Sequence, residues 1–370
     1  MKHKLALVNG RIFTEYEIYE QHALLIDSEL IAGIVPEADV PEGFELMDVK
    51  GANISPGLID LQIYGTGEDL FSAELTVDSI HRIEQNLLKQ GCTSFVLTLA
   101  TNTLELFNQA IEVFEEAKPK VALGLHLEGP FLNAAKRGAH PAELIQKASL
   151  ELLGSVVEGK EDVVKMMTIA PELTEQECID YLNEKGVLVT AGHSAATYKE
   201  ATHAFDHGVP AVTHLWNAMS PLHHRDVGLP GAAFNHDAVC ASIIVDGIHS
   251  DFETVKISKE LMGERLFLIT DAVAKCDKGI YQHVFNEDHY TMPDGTLSGS
   301  ALTMLKAVEN CVKKVGISLE ESLRMATLYP ARLFGRHDLG NLNSGSIANV
   351  LVFDQDFQVQ QVVFQGKRII

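Results

Sequence analysis

Four residues of the kinds that bind metals or transfer protons occur at wide intervals along the chain: Glu128, His193, His214 and Asp271. Each closes a short apolar run that we predict to be a β-strand. One carboxylate and two imidazoles form a ligand set that catalytic zinc uses, and this set leaves one coordination position for water. A second carboxylate beside that water could accept its proton. The residue types therefore predict hydrolysis by a metal-activated water.

Each of these residues also has a purely structural interpretation. Glu128 could form an ion pair or favour a helix N-terminus through its charge, and Asp271 could be only an N-cap. His193 and His214 could be hydrogen-bonded histidines of the core. The metal site is favoured because all four residues fall at equivalent places, each at the end of an apolar run.

The elements that must position these residues are alternating strands and helices. From about residue 56, short apolar runs alternate with amphipathic segments that end in Gly, which is typical of βαβ units and a parallel sheet. Capping boxes that begin at Thr174, Thr197, Ser250 and Ser318 indicate helix starts. Eight strands are predicted, at residues 58–62, 93–99, 122–128, 165–170, 187–193, 211–215, 239–245 and 266–271.

Eight such strands favour an α/β fold that closes into a (β/α)₈ TIM-like barrel over an open sheet. Active sites of these barrels lie at the C-terminal ends of the strands. The four residues close the third, fifth, sixth and eighth predicted strands, so we expect all of them at one mouth of the barrel.

The two ends of the chain have a different pattern. Residues 1–53 and 340–370 contain short alternating strands without helices between them. We expect both termini to form one small composite β-sandwich domain, and residues 54–339 to form the barrel.

The composition is that of a globular protein with an acidic surface. The 370 residues are 46% hydrophobic, and the formal net charge of −22 predicts no nucleic-acid partner and no anionic-membrane partner. No apolar run approaches the ~20 residues that a membrane span requires. Five scattered cysteines without C-x-x-C spacing indicate thiols in a reducing compartment, so a cytoplasmic location is expected.

Seven short motifs are spread over the chain. They are PGLID at 56–60, HLEGPF at 126–131, AGHS at 191–194, THLWNAM at 213–219, VDGIH at 245–249, TDA at 270–272 and LSGS at 297–300. Together they resemble the motifs of N-acetylglucosamine-6-phosphate deacetylases in the amidohydrolase superfamily. The first motif marks only the superfamily, whereas the second and fourth are specific to the deacetylases. The resemblance covers essentially the whole chain, including its β-rich ends.

The resemblance implies roles for individual residues. Glu128, His193 and His214 would hold the metal, Asp271 would be the general base, and His140 would polarise the acetamide carbonyl. The implied substrate contacts are Ala139, His140, Asn217, Ala218, Arg225, Asp246, His249, Leu297, Ser298 and Gly299. In such enzymes one of the phosphate contacts can come from a neighbouring subunit. A homodimer with its active site near the subunit interface is therefore expected.

One departure from the superfamily pattern concerns a second metal. Many amidohydrolases follow the first motif with a His-x-His pair, but this chain has Gln62 and Tyr64 at those places. Neither is a usual zinc ligand. We therefore expect one divalent metal ion per chain. Zn²⁺ suits the ligands best, although Fe²⁺, Co²⁺ or Mn²⁺ also fit such a set.

The implied activity is hydrolysis of N-acetyl-D-glucosamine 6-phosphate to D-glucosamine 6-phosphate and acetate, in amino-sugar catabolism and cell-wall amino-sugar recycling. Two other interpretations stay open. The barrel could process another amide or cyclic amide. The chain could also be a metal-binding protein that has lost its activity, because Gln62 and Tyr64 already replace ligands. Asp271 argues against this loss, since a structural metal needs no further acidic residue beside its water.

Overall fold

The structure, a computed structural model, describes residues 4–370. The chain divides into two compact units. The first comprises the chain up to Asp60 together with Gln85–Ser94 and Thr303–Ile370, and the second comprises Leu61–Glu84 and Phe95–Leu302. The predicted division, with a composite domain of 1–53 and 340–370 and a barrel of 54–339, stays a prediction.

The strands are numbered in chain order. They are β1 (Lys4–Val8), β2 (Arg11–Phe13), β3 (Ile18–Tyr19), β4 (His22–Asp27), β5 (Leu30–Pro36), β6 (Glu45–Asp48), β7 (Asn53–Pro56), β8 (Leu58–Ile63), β9 (Gly65–Thr66), β10 (Asp69–Leu70), β11 (Cys92–Ala100), β12 (Ala122–Glu128), β13 (Val164–Ile169), β14 (Leu188–Ala191), β15 (Ala211–Val212), β16 (Cys240–Ile243), β17 (Leu266–Leu268), β18 (Val284–Asn286), β19 (His289–Thr291), β20 (Leu297–Ser300), β21 (Val350–Phe353), β22 (Val359–Phe364) and β23 (Lys367–Arg368).

The α-helices are numbered in the same way. They are α1 (Val77–Lys89), α2 (Leu104–Ala117), α3 (Leu150–Val157), α4 (Gln176–Glu184), α5 (Tyr198–Asp206), α6 (Gly228–Asn235), α7 (Phe252–Met262), α8 (Met304–Asn310), α9 (Leu319–Met325) and α10 (Leu328–Leu333). A π-helical turn, Cys311–Val315, follows α8. Within residues 4–370, no helix is long and apolar enough to cross a bilayer.

Eight parallel strands form one sheet in the order β8, β11, β12, β13, β14, β15, β16 and β17. Helices α1 to α7 alternate with these strands along the chain. The sheet is closed by the residues just after the last strand, β17, which bond to the end of the first strand, β8. The Asp271 N–H donates to the Gln62 carbonyl at 3.0 Å, and the Tyr64 N–H donates to the Ala272 carbonyl at 2.9 Å. The predicted eight-stranded barrel is therefore confirmed.

Five of the strands end earlier than predicted, and three of them do so for the same physical reason. β14 ends at Ala191, β15 at Val212 and β17 at Leu268. The residues beyond these ends turn into the left-handed region, with φ of 46° at His193, 34° at His214 and 54° at Asp271. Left-handed backbone is uncommon for residues other than glycine and is incompatible with a continuing strand. These turns place all three side chains just past the strands.

The strands of the two chain ends form two further sheets. A four-stranded sheet has the order β5, β4, β1, β6, and a six-stranded sheet has the order β23, β22, β21, β7, β2, β3. Their shared core contains Leu5 and Leu24 from the first sheet and Ile54 and Val350 from the second, all fully buried. This arrangement fits the small β-sandwich domain expected from both termini.

A small antiparallel sheet, β18–β19–β20, follows the last barrel strand and precedes α8. This sheet was not predicted from the sequence. Its strands are only three or four residues long and lie between turns, so they have little periodicity to recognise. We call residues 276–300, which include this sheet, the hairpin segment.

Candidate active site

A cavity of about 400 Å³ lies at the C-terminal ends of the barrel strands. Its walls include residues at or just beyond the ends of β8, β11, β12, β14, β15 and β17, namely Tyr64, Ala100, Glu128, His193, His214 and Asp271. Loops after other strands and the hairpin segment complete the walls. All four residues that the strand ends were predicted to bring together therefore line one cavity.

Three potential ligand atoms converge in this cavity. Glu128 Oε1 lies 3.0 Å from His214 Nε2 and 3.4 Å from His193 Nε2, and the two Nε2 atoms lie 3.1 Å apart. Metal–ligand distances of ~2.1 Å in a tetrahedral site place ligand atoms about 3.4 Å from one another. The three distances between these atoms are close to that spacing.

His140 is the fourth polar side chain at this point, and its Nε2 lies 3.2 Å from Glu128 Oε2. One ligand atom each of Glu128, His140 and His193 lies within 4.8 Å of the others, so this group could also hold a metal ion. The main-chain N–H of Thr101 donates to His140 Nδ1 at 3.2 Å. Because Nδ1 accepts this bond, the proton of the neutral ring resides on Nε2. A protonated Nε2 is a hydrogen-bond donor and has no lone pair for a metal.

In His193 the two ring nitrogens have the opposite roles to those in His140. Its Nδ1 lies 2.9 Å from the carbonyl oxygen of Lys136. An imidazole nitrogen that faces a carbonyl must carry the proton, so Nε2 of His193 keeps its lone pair. Gly192 allows the chain to pass closely here, because a Cβ at this position would lie 2.7 Å from Thr168 Cγ2. The ring orientation of His193 is therefore set by main-chain contacts.

Glu172 fixes the loop that follows His193. Its carboxylate accepts hydrogen bonds from Ser194 Oγ and the Ala195 N–H, both at 2.6 Å, and from Asn133 Nδ2 at 2.9 Å. The Asn133 N–H in turn donates to the His193 carbonyl at 2.9 Å. The loop that carries His140 and the loop that carries His193 are joined by these bonds.

Asp271 is held from two directions. Gln62 Nε2 donates to Asp271 Oδ1 at 2.8 Å. The Asp271 N–H donates to the Gln62 carbonyl, and the Ser300 N–H donates to the Asp271 carbonyl, both at 3.0 Å. One carboxylate oxygen is thereby oriented by Gln62, and the backbone is fixed by the strands on either side.

Gln62 and Tyr64 occupy the places where many amidohydrolases have a His-x-His pair. Gln62 Nε2 also lies 2.9 Å from Glu128 Oε1 and 3.1 Å from the Tyr64 hydroxyl. The Tyr64 hydroxyl donates to Glu128 Oε2. Burial, followed by the charge of Glu128, raises the pKa of Tyr64 well above its usual value, so the phenol stays neutral. The two side chains act as hydrogen-bond donors to the carboxylates.

The charges of the site depend on one another. Burial acts to raise the pKa of Glu128, but the neighbouring histidines hold this pKa well below its ordinary value. Burial acts to lower the pKa of His214, but the hydrogen bond with Glu128 and the charge of that carboxylate keep the pKa raised. Burial, followed by the charge of His193, lowers the pKa of His140 to about 4. Neutral His140 can therefore act as a hydrogen-bond donor at physiological pH.

The pKa of Asp271 is raised from its usual value. Burial is the largest cause; the charge of His214 opposes it, and the charge of Glu128 adds to it. A carboxylate with a raised pKa holds a proton more readily than an ordinary aspartate. This property suits a group that accepts a proton and then gives it back.

Most of the predicted substrate contacts line the same cavity. They are Ala139, His140, Asn217, Ala218, His249, Leu297, Ser298 and Gly299. Asp246 is outside the lining and instead binds His249, with Oδ2 2.6 Å from Nδ1. Burial acts to raise the pKa of Asp246, but hydrogen bonds led by that with His249 lower it. Asp246 therefore orients His249.

Arg225 is the second predicted contact that is outside the cavity lining. It is exposed on the loop after Met219 and is absent from the lining. Its main-chain N–H donates to His223 Nδ1 at 3.3 Å. Within residues 4–370, the guanidinium makes no ion pair, so the alternative of a loop salt bridge with Asp226 is not observed.

Sequence reasoning missed three residues of the site: Thr101, Tyr281 and His283. Thr101 directly follows β11, so the rule that strand ends carry the active site could have found it. Tyr281 and His283 line the cavity from the hairpin segment, for which no element was predicted. Burial lowers the pKa of His283 to about 4, and its Nδ1 lies 2.9 Å from Ser298 Oγ.

Comparison with known proteins identifies the family to which the chain belongs. Residues 53–369 match the amidohydrolase family, and residues 5–54 match the NagA composite domain. The chain is 36% identical to N-acetylglucosamine-6-phosphate deacetylase of Haemophilus influenzae, over 98% of this chain and 99% of the relative. The chain belongs to the N-acetylglucosamine-6-phosphate deacetylases of the amidohydrolase superfamily. The members of this family are metal-dependent hydrolases.

Other members of the family show how far the likeness extends. The bovine deacetylase is 34% identical over 88% of this chain and 85% of its own length. The crystal structure of the Pasteurella multocida deacetylase superimposes with a TM-score of 0.95 and 36% identity, covering 99% of both chains. An Asp-to-Ala variant of the Mycobacterium smegmatis deacetylase, in complex with N-acetyl-D-glucosamine-6-phosphate, has a TM-score of 0.92 and 28% identity, covering 100% of this chain and 99% of that chain.

Proposed function

We propose that this protein hydrolyses N-acetyl-D-glucosamine 6-phosphate to D-glucosamine 6-phosphate and acetate. The observation that carries the proposal is the convergence of Glu128 Oε1, His193 Nε2 and His214 Nε2 in the cavity that also contains Asp271. The relatives that match nearly the whole chain carry this activity in their names. The same cavity includes most of the predicted sugar-phosphate contacts.

The donor set fits one divalent metal ion, and we assign His214 rather than His140 as its third ligand. The neutral His140 ring carries its proton on Nε2 because Nδ1 accepts the Thr101 N–H. The Nε2 atom of His193 is free to ligate because its Nδ1–H donates to the Lys136 carbonyl. Zn²⁺ suits one carboxylate and two imidazoles, with Fe²⁺, Co²⁺ and Mn²⁺ as alternatives.

A metal bound to these residues would supply Lewis acidity and lower the pKa of a water molecule beside it. Asp271 accepts the proton of the attacking water, with Gln62 holding its Oδ1 in place. His140 Nε2–H donates to the carbonyl oxygen of the acetamide, where negative charge develops. Protonated Asp271 then returns the proton to the leaving amine. The raised pKa of Asp271 favours the first of these transfers, in which the carboxylate accepts the proton of the water.

We propose that the substrate phosphate binds His249 and the partner's copy of Arg225 in a homodimer. His249 lines the cavity and is oriented by Asp246. Arg225 is exposed and free of ion pairs within the described chain, so its fork of donors is available to a second subunit. Leu222, on the same loop, is 45% exposed, which suits an intersubunit contact. The active site would then lie near the subunit interface.

The broader setting is also a proposal. We infer a role in amino-sugar catabolism and in recycling of cell-wall amino sugars, because glucosamine 6-phosphate and acetate are both metabolisable products. All five cysteines are free and four of them are buried, which supports a reducing, cytoplasmic compartment.

The experiment is acetate release by the purified, metal-loaded protein. N-acetylglucosamine 6-phosphate should be turned over, whereas a cyclic amide such as dihydroorotate should not. The variant Asp271→Asn should lose at least ~10²-fold in kcat while it keeps its metal, because the base is removed and the ligands persist. Turnover of the cyclic amide alone would move the protein to another branch of the superfamily. Absence of turnover for both substrates would favour a metal-binding protein without activity.

A further inference from the structure

Tyr281 lies in the cavity wall, on the hairpin segment, with only 6% of its surface exposed. Its hydroxyl donates to the main-chain carbonyl of Thr101 at 2.7 Å. The N–H of the same Thr101 donates to His140 Nδ1 at 3.2 Å. Tyr281 and His140 are therefore connected through one buried residue, although they are 141 positions apart in sequence.

Thr101 is held at every polar group that it has. Besides the two main-chain bonds, its Oγ1 donates to the Glu128 carbonyl at 3.0 Å, and the residue is fully buried. A buried residue with three fixed hydrogen bonds has little freedom to rotate. The direction of its N–H, which faces His140, therefore depends on the Tyr281 hydroxyl that anchors its carbonyl.

The Thr101 N–H decides which tautomer His140 adopts. If the ring carried its proton on Nδ1, that proton would point at the Thr101 N–H and the two hydrogens would repel. The Tyr281 oxygen lies 3.5 Å from Nδ1, at the limit of a hydrogen bond, and its own proton is directed to Thr101. With Nδ1 as an acceptor, Nε2–H points toward Glu128 and the cavity.

We propose that Tyr281 is a positioning residue for the hydrolysis: by anchoring Thr101, it holds His140 as the Nε2–H tautomer aimed at the carbonyl oxygen of the substrate. The inference rests on the proposed function, because the donor role of His140 belongs to that function.

The first test is kinetic and uses Tyr281→Phe, which removes only the hydroxyl. We expect kcat for N-acetylglucosamine 6-phosphate to fall roughly tenfold and KM to stay within about twofold, because the lost bond orients a group that acts in the transition state. Tyr290→Phe is the matched control, since it removes a phenol from the same hairpin segment and outside the cavity lining. It should behave as wild type. A raised KM with an unchanged kcat for Tyr281→Phe would overturn the proposal.

The second test asks whether the effect passes through His140. In a His140→Ala background, Tyr281→Phe should cause no further loss of kcat, because the group that it positions is gone. The trifluoroacetamide analogue of the substrate has a more electrophilic carbonyl and needs less polarisation, so the loss in Tyr281→Phe should shrink to about twofold. Losses that multiply in the double variant, or a loss of equal size for both substrates, would show a general structural role and overturn the proposal.

A third measurement is independent of turnover. Nitrogen NMR of metal-loaded protein with ¹⁵N-labelled histidine should contain an Nε2–H ring signal that is absent from His140→Ala, altered in Tyr281→Phe and unchanged in Tyr290→Phe. An Nδ1–H signal for His140 would overturn the proposal even if the enzyme is active. The expected spectra from a protein that releases no acetate would support the anchoring by Tyr281 while contradicting the proposed function, so the two failures are distinguishable.

Discussion

The side-chain amide of Gln62 donates to Asp271 Oδ1 at 2.8 Å and lies 2.9 Å from Glu128 Oε1. One neutral side chain thus contacts both carboxylates of the candidate site, at a position where many members of the superfamily place a metal ligand. Two carboxylates that contact the same side chain repel each other unless hydrogen-bond donors or cations lie between them. Gln62 provides such a donor without introducing a charge.

Replacing Gln62 by Leu should shift the pH dependence of the reaction. Gln62 donates to the charged form of Asp271, so its removal should raise the pKa of Asp271 further above its usual value. The base works only when it is deprotonated, so activity should fall most at acidic pH. We expect the acid limb of the kcat profile to move to higher pH and the deficit relative to wild type to narrow as the pH rises. A profile of unchanged shape, measured from pH 5 to 9, would contradict this role.

The assignment of the third ligand leads to a second prediction, which compares His214→Ala with His140→Ala. Loss of a ligand should weaken metal binding by well over ~10²-fold, more than the loss of a group outside the ligand shell. His214→Ala should therefore lose its metal on dialysis. His140→Ala should keep about one equivalent and lose roughly 10²- to 10³-fold in kcat, as expected when a donor to the developing charge is removed. Elemental analysis with the reverse pattern would make His140 the ligand.

Selection for the phosphate gives a third prediction. If the partner's copy of Arg225 binds the phosphate, Arg225→Ala should reduce the preference for the phosphorylated sugar over N-acetylglucosamine by roughly 1.5 to 3 kcal/mol. The matched control is Lys89→Ala, which removes an exposed cation on α1 outside the cavity lining. The measurement is kcat/KM for both sugars. An unchanged ratio for Arg225→Ala would place phosphate recognition on other residues.

Burial of His283 predicts an effect of pH on stability. The pKa of His283 in the folded state is about 4, because burial disfavours the charged ring, whereas an unfolded histidine titrates near pH 6.5. The folded-state pKa is the lower one, so this contribution to stability is present above pH ~6.5 and is lost as the pH falls toward 4. Between pH 7 and 5 the loss amounts to about 2 kcal/mol.

The variant His283→Gln should therefore lose less stability than wild type between pH 7 and pH 5, by about this amount. His224→Gln, which changes an exposed histidine, is the control and should follow wild type. The measurement is the free energy of unfolding by urea at both pH values. Parallel losses in all three proteins would show that the pKa of His283 is not lowered in the folded state, and would contradict this prediction.

Much of the fold could be predicted because hydrophobic periodicity reports burial directly. All eight barrel strands were recognised from apolar runs, and the capping box of Thr197 and Glu200 is present as predicted. Two other helix starts were placed slightly early: α4 is capped at Glu175 rather than Thr174, and α7 at Asp251 rather than Ser250. A capping signature consists of common residues, so its register is decided by tertiary packing.

The candidate site was predictable where it depends on residue type and not where it depends on main-chain direction. Glu128 stands out as a carboxylate at a strand end. Thr101 contributes chiefly through its main-chain N–H and carbonyl, which nearly every residue has. Its residue type therefore gives no signal for that role. The left-handed turns at His193 and His214 also escaped prediction, because neither residue type requires them.

The most direct test of the account is the rate of acetate release from N-acetylglucosamine 6-phosphate while metal-free protein is titrated with Zn²⁺. We predict negligible turnover without metal, a linear rise up to one equivalent of Zn²⁺ per chain, and a plateau beyond it. We expect this outcome because the proposed ligands Glu128, His193 and His214 make up a single set, and Gln62 and Tyr64 are not usual zinc ligands. A rise that continues to two equivalents, or no acetate release at any zinc concentration, would contradict the account.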